Sequence, residues 1–339
     1  MLVDRGRSRI ACDGFITFSP VGGREGEERG YCGTPKLEAE YRIENSNNPL
    51  TNYTVSKFLD HGTANPIVAR LTLQTFAILD ACDLSKELAD KIKVVYMHSL
   101  MKSLLRCGEI AMGYQSEFVK EMEACKRRPP SAIVTVPSIM RLEEECRNFL
   151  YEAKNFIRDT LKAFNLLYGT AFEEASEFLW PKKGRPSLIG FVESTFGPED
   201  DKTKLFKQML QAVERVVTFR NAVEHPGGYS GTLYMRNFRL EPNGKFTEPG
   251  WWLEKNGKKE SESCIRVDLF AIVQNLLILA EEMIVLWAED NLRFPQAHRI
   301  AILPEERRDP NIAIQYFVTA SLEFERKLTD FIEAQGQGT

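Results

Sequence analysis

The clearest pattern in the chain is a helical repeat of apolar residues that begins after Pro137 and ends near Gly169. At 100° per residue, these side chains fall within one arc of a helical wheel. The opposite face is polar and carries Glu144, Tyr151, Asn155, Arg158 and Lys162. The pattern therefore predicts a two-sided helix whose apolar face requires partner helices.

Two more helices and a β segment are predicted downstream. One helix covers about residues 204–224 and is halted by His225 and Pro226, and another covers about residues 268–291. Residues 230–267 between them are predicted to form an inserted β-hairpin or meander, because they contain two turn signals, Asn243-Gly244 and Asn256-Gly257. The expected fold class is mainly α, a helical bundle with a β insertion.

The flanking regions have patterns of their own. Residues 1–52 are rich in glycine and are expected to be irregular with a few short strands, whereas residues 53–130 show helical spacing from about Thr54. The run Lys126-Arg127-Arg128-Pro129-Pro130 is a plausible boundary before the domain at 131–295. Residues 296–339 are predicted to be a tail with one helix, starting near Asn311.

Composition and charge exclude several classes of protein. The 44 basic and 48 acidic residues give a net charge of −4, so nucleic-acid binding would depend on a local patch. Polar residues interrupt the most apolar stretch, Leu269–Ala288, and no apolar run resembles a signal peptide near the start. A cytoplasmic protein outside the membrane is expected. The four histidines and seven cysteines show no metal-site spacing, so no metal or cofactor is expected.

One position stands out on the second predicted helix. Arg220 falls on the same face as Met209, Val213 and Val216. A guanidinium keeps its charge, so at a buried position it must pair with an anion. His225 follows at the helix end, where the macrodipole favours an imidazolium. Such a pair suits phosphodiester chemistry: Arg220 holds a phosphate while His225 moves a proton, and RNA supplies its own 2′-hydroxyl nucleophile without a metal.

The run Arg220-Asn221-Ala222-Val223-Glu224-His225 resembles the motif of the HEPN superfamily: an arginine, a polar residue, three residues of any kind and a histidine. The resemblance implies an antiparallel helical bundle across about Pro137–Asn291, with Arg220 and His225 as catalytic residues and Asn221 as the polar residue beside them. It also implies a metal-independent endoribonuclease of a toxin, antiphage-defence or RNA-processing system. The site would form between two chains of a homodimer, the product would carry a 2′,3′-cyclic phosphate, and an antitoxin or other regulator is a possible partner.

A non-catalytic interaction or nucleic-acid-binding module is the alternative. Glu224 lies four residues after Arg220, so the two could form a structural ion pair, and His225 could simply cap the helix. In that case replacing Arg220 is expected to leave Glu224 buried and unpaired, at a cost of about 3–5 kcal/mol. Thr160, at the centre of an apolar face, is expected to bond its own backbone at i−4, with a role facing the site as the minority interpretation.

Two other segments are candidates for contact with nucleic acid. The loop containing Lys182, Lys183 and Arg185 resembles a minor-groove hook, and its cations could follow an RNA backbone, although such loops are usually only solvated. Trp251 and Trp252 could stack on bases, but packing of one of them on the bundle is the more common outcome.

Overall fold

The computed structural model describes residues 15–20, 30–32, 53–57, 60–127, 136–182, 184–324 and 326–327. Most of these residues are helical, and the strands form small sheets, which confirms the mainly α prediction. The α-helices of the described part are α1 (Pro66–Val68), α2 (Thr75–Asp80), α3 (Lys86–Val94), α4 (Met101–Lys126), α5 (Leu142–Tyr168), α6 (Leu188–Phe196), α7 (Asp201–Glu224) and α8 (Ile265–Glu289). The π-helical segments are Ala69–Gln74 and Val95–Leu100, and the 3-10 helices are Ala175–Phe178 and Glu305–Arg307.

The strands form four small sheets among the described residues. The strands are β1 (Phe15–Pro20), β2 (Gly30–Cys32), β3 (Tyr53–Lys57), β4 (Thr232–Arg236), β5 (Arg239–Leu240), β6 (Phe246–Thr247), β7 (Gly250–Lys255), β8 (Lys258–Lys259), β9 (Ser263–Cys264), β10 (His298–Ile302) and β11 (Tyr316–Ala320). The sheet orders are β2-β1-β3, β4-β7-β8 with β9 also paired to β7, β5-β6, and β10-β11.

The chain divides into two compact units. One comprises residues 1–74 and 301–317, and the other comprises residues 75–300 and 318–339. The expected boundary near residue 130 does not separate them, because α4 packs against both α5 and α8 within the second unit. Helix α4 ends at Lys126, and the remaining residues of the predicted break, 128–130, lie outside the described residues.

Local sequence signals explain the ends of the long helices. Helix α5 stops at Gly169, which adopts a left-handed conformation with φ of 66°. Helix α7 begins after Asp200, whose carboxylate accepts a hydrogen bond from the Lys202 amide, and it ends before Pro226. These bounds confirm the predicted helices to within a few residues.

The core of the second unit lies between α4, α5, α7 and α8. Aromatic side chains of α5 fill much of it, including Phe149, Phe156 and Phe164, which are fully buried. Helix α8 is long and apolar enough to cross a membrane, but 56% of its most apolar stretch is buried inside the protein. Core helices of soluble proteins pass the same length and composition test, so α8 is weak evidence for a membrane span.

The β insertion packs beside the bundle as an antiparallel sheet. Tyr234 of β4 lies opposite Trp252 of β7, and β7 turns into β8 through Asn256 and Gly257. Both turn residues have positive φ, 53° and 70°, as a tight two-residue hairpin requires. The predicted insertion and this turn are confirmed.

Two predicted helical segments are wrong in part. Residues 53–57 form β3, which pairs with β1, although the helical pattern was predicted from about Thr54. Residues 316–320 form β11 instead of the predicted C-terminal helix, because β10 supplies a partner for their β-branched and aromatic residues. Residues 322–324 and 326–327 are helical, and residues 328–339 lie outside the described residues.

Candidate functional site

Arg220 lies about one turn before the end of α7 and is largely withdrawn from water. Only 12% of its side chain is exposed, and an Nη atom lies 2.6 Å from a carboxylate oxygen of Glu224. The guanidinium also sits over the ring of Tyr151, 5.2 Å from its centre. Burial lowers the pKa of Arg220 without removing its charge. The i+4 ion pair considered from the sequence is therefore formed, and an aromatic ring covers the cation.

A cleft of about 190 Å³ opens beside this arginine. Side chains of α5 and α7 and the start of the Ala175–Phe178 turn form its walls. The lining residues are Tyr151, Lys154, Asn155, Arg158, Glu174, Ala175, Arg220 and Glu224. Tyr151, Asn155 and Arg158 of the predicted polar face of α5 thus form one wall of the cleft.

Lys154 is the functional candidate that the sequence reasoning missed. Its ammonium group donates to Asn221 Oδ1 at 2.9 Å and lies 3.4 Å from Glu224 Oε2. Burial and the neighbouring Arg220 charge lower the pKa of Lys154. The sequence contains part of the signal for Lys154, because the spacing of Tyr151, Lys154 and Arg158 places them on one stripe of α5.

Three cations and two carboxylates line the cleft. Lys154, Arg158 and Arg220 face it with Glu174 and Glu224, and Glu174 is shared with Lys182 at 3.3 Å. Two closely spaced cations that are partly desolvated bind a phosphate more strongly than they would in water. Because Arg220 and Lys154 both pair with Glu224, a phosphate held by these two cations has to share them with that carboxylate or displace it.

His225 lies at the end of α7 but not among the residues that line the cleft. Its backbone amide donates to the Asn221 carbonyl at 2.9 Å, which confirms that it caps the helix. The residue is exposed, and its imidazole makes no hydrogen bond or ion pair with a described residue. The structure of one chain thus brings Arg220, Asn221, Glu224 and Lys154 together and leaves His225 outside.

The basic loop is held by carboxylates of its own unit. Arg185 lies 3.1 Å from Glu177, a carboxylate that is only 2% exposed, and it also bonds the Ala171 carbonyl. Lys182 pairs with Glu174, as noted above, and Lys183 lies outside the described residues. The two described cations therefore have protein partners, and their contact with phosphate stays a prediction.

The remaining candidates are distributed between the core and the sheet surface. Thr160 is 1% exposed and donates to the Phe156 carbonyl at 3.0 Å, which confirms the expected i−4 bond. Trp251 is fully buried and packs edge-to-face on Phe219 at 5.2 Å, whereas Trp252 lies on the outer face of the sheet. One tryptophan is thus structural, as the sequence favoured.

Comparisons with protein-family models, curated proteins and solved structures found no match to this chain. Among the described residues, no group of three or more His, Cys, Asp or Glu side chains could hold a metal ion. Function is therefore inferred from the geometry and charge of the cleft.

Proposed function

We propose that this chain is a metal-independent endoribonuclease of the HEPN type. The observation that carries the proposal is the desolvated Arg220 beside Lys154 in a cleft, on a helix that ends at His225. The mainly helical unit is compatible with an antiparallel HEPN-like bundle formed by α5, α7 and α8. A cytoplasmic location and restraint by an antitoxin or other regulator belong to the same proposal.

In the proposed reaction, Arg220 and Lys154 hold the scissile phosphate and neutralise the charge that develops on its oxygens. The 2′-oxygen of the RNA bonds to phosphorus while the bond from phosphorus to the 5′-oxygen breaks. His225 accepts the 2′-hydroxyl proton and returns it to the leaving 5′-oxygen, so no co-reactant is needed. The products are a 2′,3′-cyclic phosphate and a 5′-hydroxyl.

The position of His225 makes a second chain part of the proposal. Because the residue lies outside the cleft of its own chain, a homodimer is needed to bring a histidine to a phosphate bound at Arg220. The exposed imidazole at the end of α7 is free of bonds to described residues and can face a partner. The proposal therefore requires that the active form be a dimer.

The test is RNA cleavage in EDTA. Wild-type protein, an Arg220→Ala/His225→Ala variant and a matched control, Arg106→Ala/His298→Ala, are incubated with total RNA, and the fragment ends are mapped. Wild type and the control should cleave and leave cyclic-phosphate ends, whereas the site variant should not. Equal cleavage by the site variant, or no cleavage by any protein, would overturn the proposal.

A specific observation favours the second candidate, a non-catalytic interaction or nucleic-acid-binding module. The Arg220–Glu224 ion pair is formed, and Lys154 and Tyr151 complete a network that needs no ligand. On this interpretation, the protein cleaves no RNA in EDTA, and the Arg220→Ala/His225→Ala variant changes only stability or partner binding. The same cleavage assay therefore separates the two functions.

A further inference from the structure

The turn after α7 connects the candidate site to the β insertion. Gly228 donates to the His225 carbonyl at 2.9 Å, and Gly227 donates to the Gly231 carbonyl at 3.1 Å. A Cβ atom at Gly231 would lie 2.4 Å from the Glu254 carbonyl oxygen, so this turn approaches β7 as closely as glycine allows. Tyr229, at the tip of the turn, is therefore held between His225 and the end of β7.

Aromatic rings are exposed on this part of the molecule. Tyr229 is 85% exposed and Tyr234 is 42% exposed. Tyr234 stacks on its cross-strand neighbour Trp252, with ring centres 5.6 Å apart and an angle of 12° between the planes. Aromatic rings at such exposure cost free energy in water, and flat rings on a sheet are platforms for other flat groups.

Lysines lie over two of these rings. Lys259 extends from the outer face of the hairpin, which also carries Tyr234 and Trp252, whereas Lys255 and Lys258 extend from the opposite face. The ammonium groups of Lys259 and Lys255 lie 3.9 Å and 4.3 Å from the ring centres of Trp252 and Tyr229, respectively. Lys258 lies directly opposite Lys255 across the β7–β8 hairpin, a like-charged pair that a bound anion would relieve. In the next pair Glu254 lies opposite Lys259, without an ion-pair contact. Among the described residues, no carboxylate forms an ion pair with any of these lysines, in contrast to Lys182 and Arg185.

We propose that this hairpin surface binds unpaired nucleotides of single-stranded RNA. The hairpin surface comprises Tyr234, Trp252 and Lys259 on the outer face and Lys255 and Lys258 on the other face, with Tyr229 under Lys255, so a bound strand would pass over the end of the hairpin. Lys255 and Lys259 cover ring faces in the free protein. Phosphates of a bound strand draw these lysines away, and the bases stack on the rings that they leave. Duplex RNA fits poorly, because its bases are already paired and stacked. This inference rests on the proposed function, since it names the substrate of the same enzyme as a single strand running past His225.

Binding is measured by fluorescence anisotropy with a fluorescein-labelled oligouridine of about 12 nucleotides that is 2′-O-methylated throughout. This probe lacks the 2′-hydroxyl nucleophile, so it reports binding independently of cleavage. The test variant is Tyr229→Ala/Lys255→Gln/Lys259→Gln. The matched control is Phe294→Ala/Lys120→Gln/Lys126→Gln, which removes one aromatic ring and two lysines from exposed positions elsewhere. All changes are at the surface, and thermal melting of each variant verifies its fold.

The test variant should lose at least about tenfold in affinity, because both stacking and phosphate contacts are removed. Loss of two lysine–phosphate contacts should also reduce the slope of log Kd against log salt concentration by about 1.4. Base stacking should quench tryptophan fluorescence in wild type and less so in Trp252→Phe. The control should bind like wild type, and a duplex of oligouridine with oligoadenosine should bind at least about tenfold more weakly than the single strand.

Two results would overturn the inference: unchanged affinity in the test variant, or equal affinity of wild type for single strand and duplex. Either failure can be told from failure of the nuclease proposal, which is decided by cleavage of unmodified RNA. If RNA binding depends on the hairpin surface but no RNA is cleaved, the binding inference stands and the nuclease proposal fails. If RNA is cleaved but binding does not depend on the hairpin surface, the nuclease proposal stands and the binding inference fails.

Discussion

Replacement of Arg220 by methionine tests what the ion pair on α7 contributes to folding. The sequence alone suggested a cost of about 3–5 kcal/mol, because Glu224 was expected to be buried and unpaired without its partner. In the structure Glu224 is 36% exposed, and Lys154 lies 3.4 Å from its other oxygen. The carboxylate therefore keeps water and a second cation after the replacement.

The expected loss of stability follows from the two contacts that the replacement removes. A partly exposed ion pair contributes about 0.2–1 kcal/mol, and a guanidinium over a tyrosine ring contributes about 0.5–1 kcal/mol. Methionine keeps most of the apolar stem in place. Together these terms predict that Arg220→Met lowers the free energy of unfolding by about 1–2 kcal/mol.

The measurement is urea denaturation followed by circular dichroism, with the slope m compared between variants. In Lys154→Met/Arg220→Met, Glu224 loses both cations, so the double variant should lose more than the sum of the single losses by about 1 kcal/mol. A loss above about 3 kcal/mol for Arg220→Met alone would refute this reasoning and identify the arginine as a structural residue.

Two further predictions concern groups outside the cleft. Asp268→Ala should lower the free energy of unfolding, measured by urea denaturation, by about 2–4 kcal/mol. The reason is that one carboxylate oxygen of Asp268 accepts hydrogen bonds from Arg215, Ser263 and the buried Trp251 indole. A loss below about 1 kcal/mol would contradict this prediction. Burial alone would raise the pKa of Glu177, but bonds from backbone amides and Arg185 lower it below the usual 4.5. The folded state thus binds this proton less tightly than the unfolded chain, so the stabilisation is complete above about pH 4.5 and is lost as pH falls through the folded pKa. The free energy of unfolding, measured at a series of acid pH values, should therefore decline less steeply below pH 4.5 in Glu177→Gln than in wild type. Equal declines in the two proteins would count against this prediction.

Local signals in the sequence were enough to locate the long helices of the second unit. Gly169 and Pro226 end α5 and α7 by backbone constraints that act within one or two residues. Asn256 and Gly257 specify the β7–β8 turn in the same way, since both adopt positive φ. Apolar periodicity identified the buried faces, because burial against neighbours repeats with the helical period.

Strand β11 shows where local patterns fail. It lies in a segment whose apolar spacing predicted a helix, whereas its β-branched and aromatic residues pair with β10 as a strand. The same holds for β3, whose partner β1 lies far upstream in the chain. Strand propensity depends on the neighbours that a segment meets, so a single segment does not determine the outcome.

The sequence determined one part of the candidate site, and the tertiary structure determined the other. The sequence placed Arg220, Asn221 and Glu224 on the end of one helix, where spacing alone makes them neighbours. Packing of α5 on α7 decided that Lys154 meets Asn221 across 67 positions of the chain, and that Arg220 lies in a cleft under Tyr151. Contacts within a helix follow from residue spacing, whereas contacts between helices depend on how their buried faces fit together.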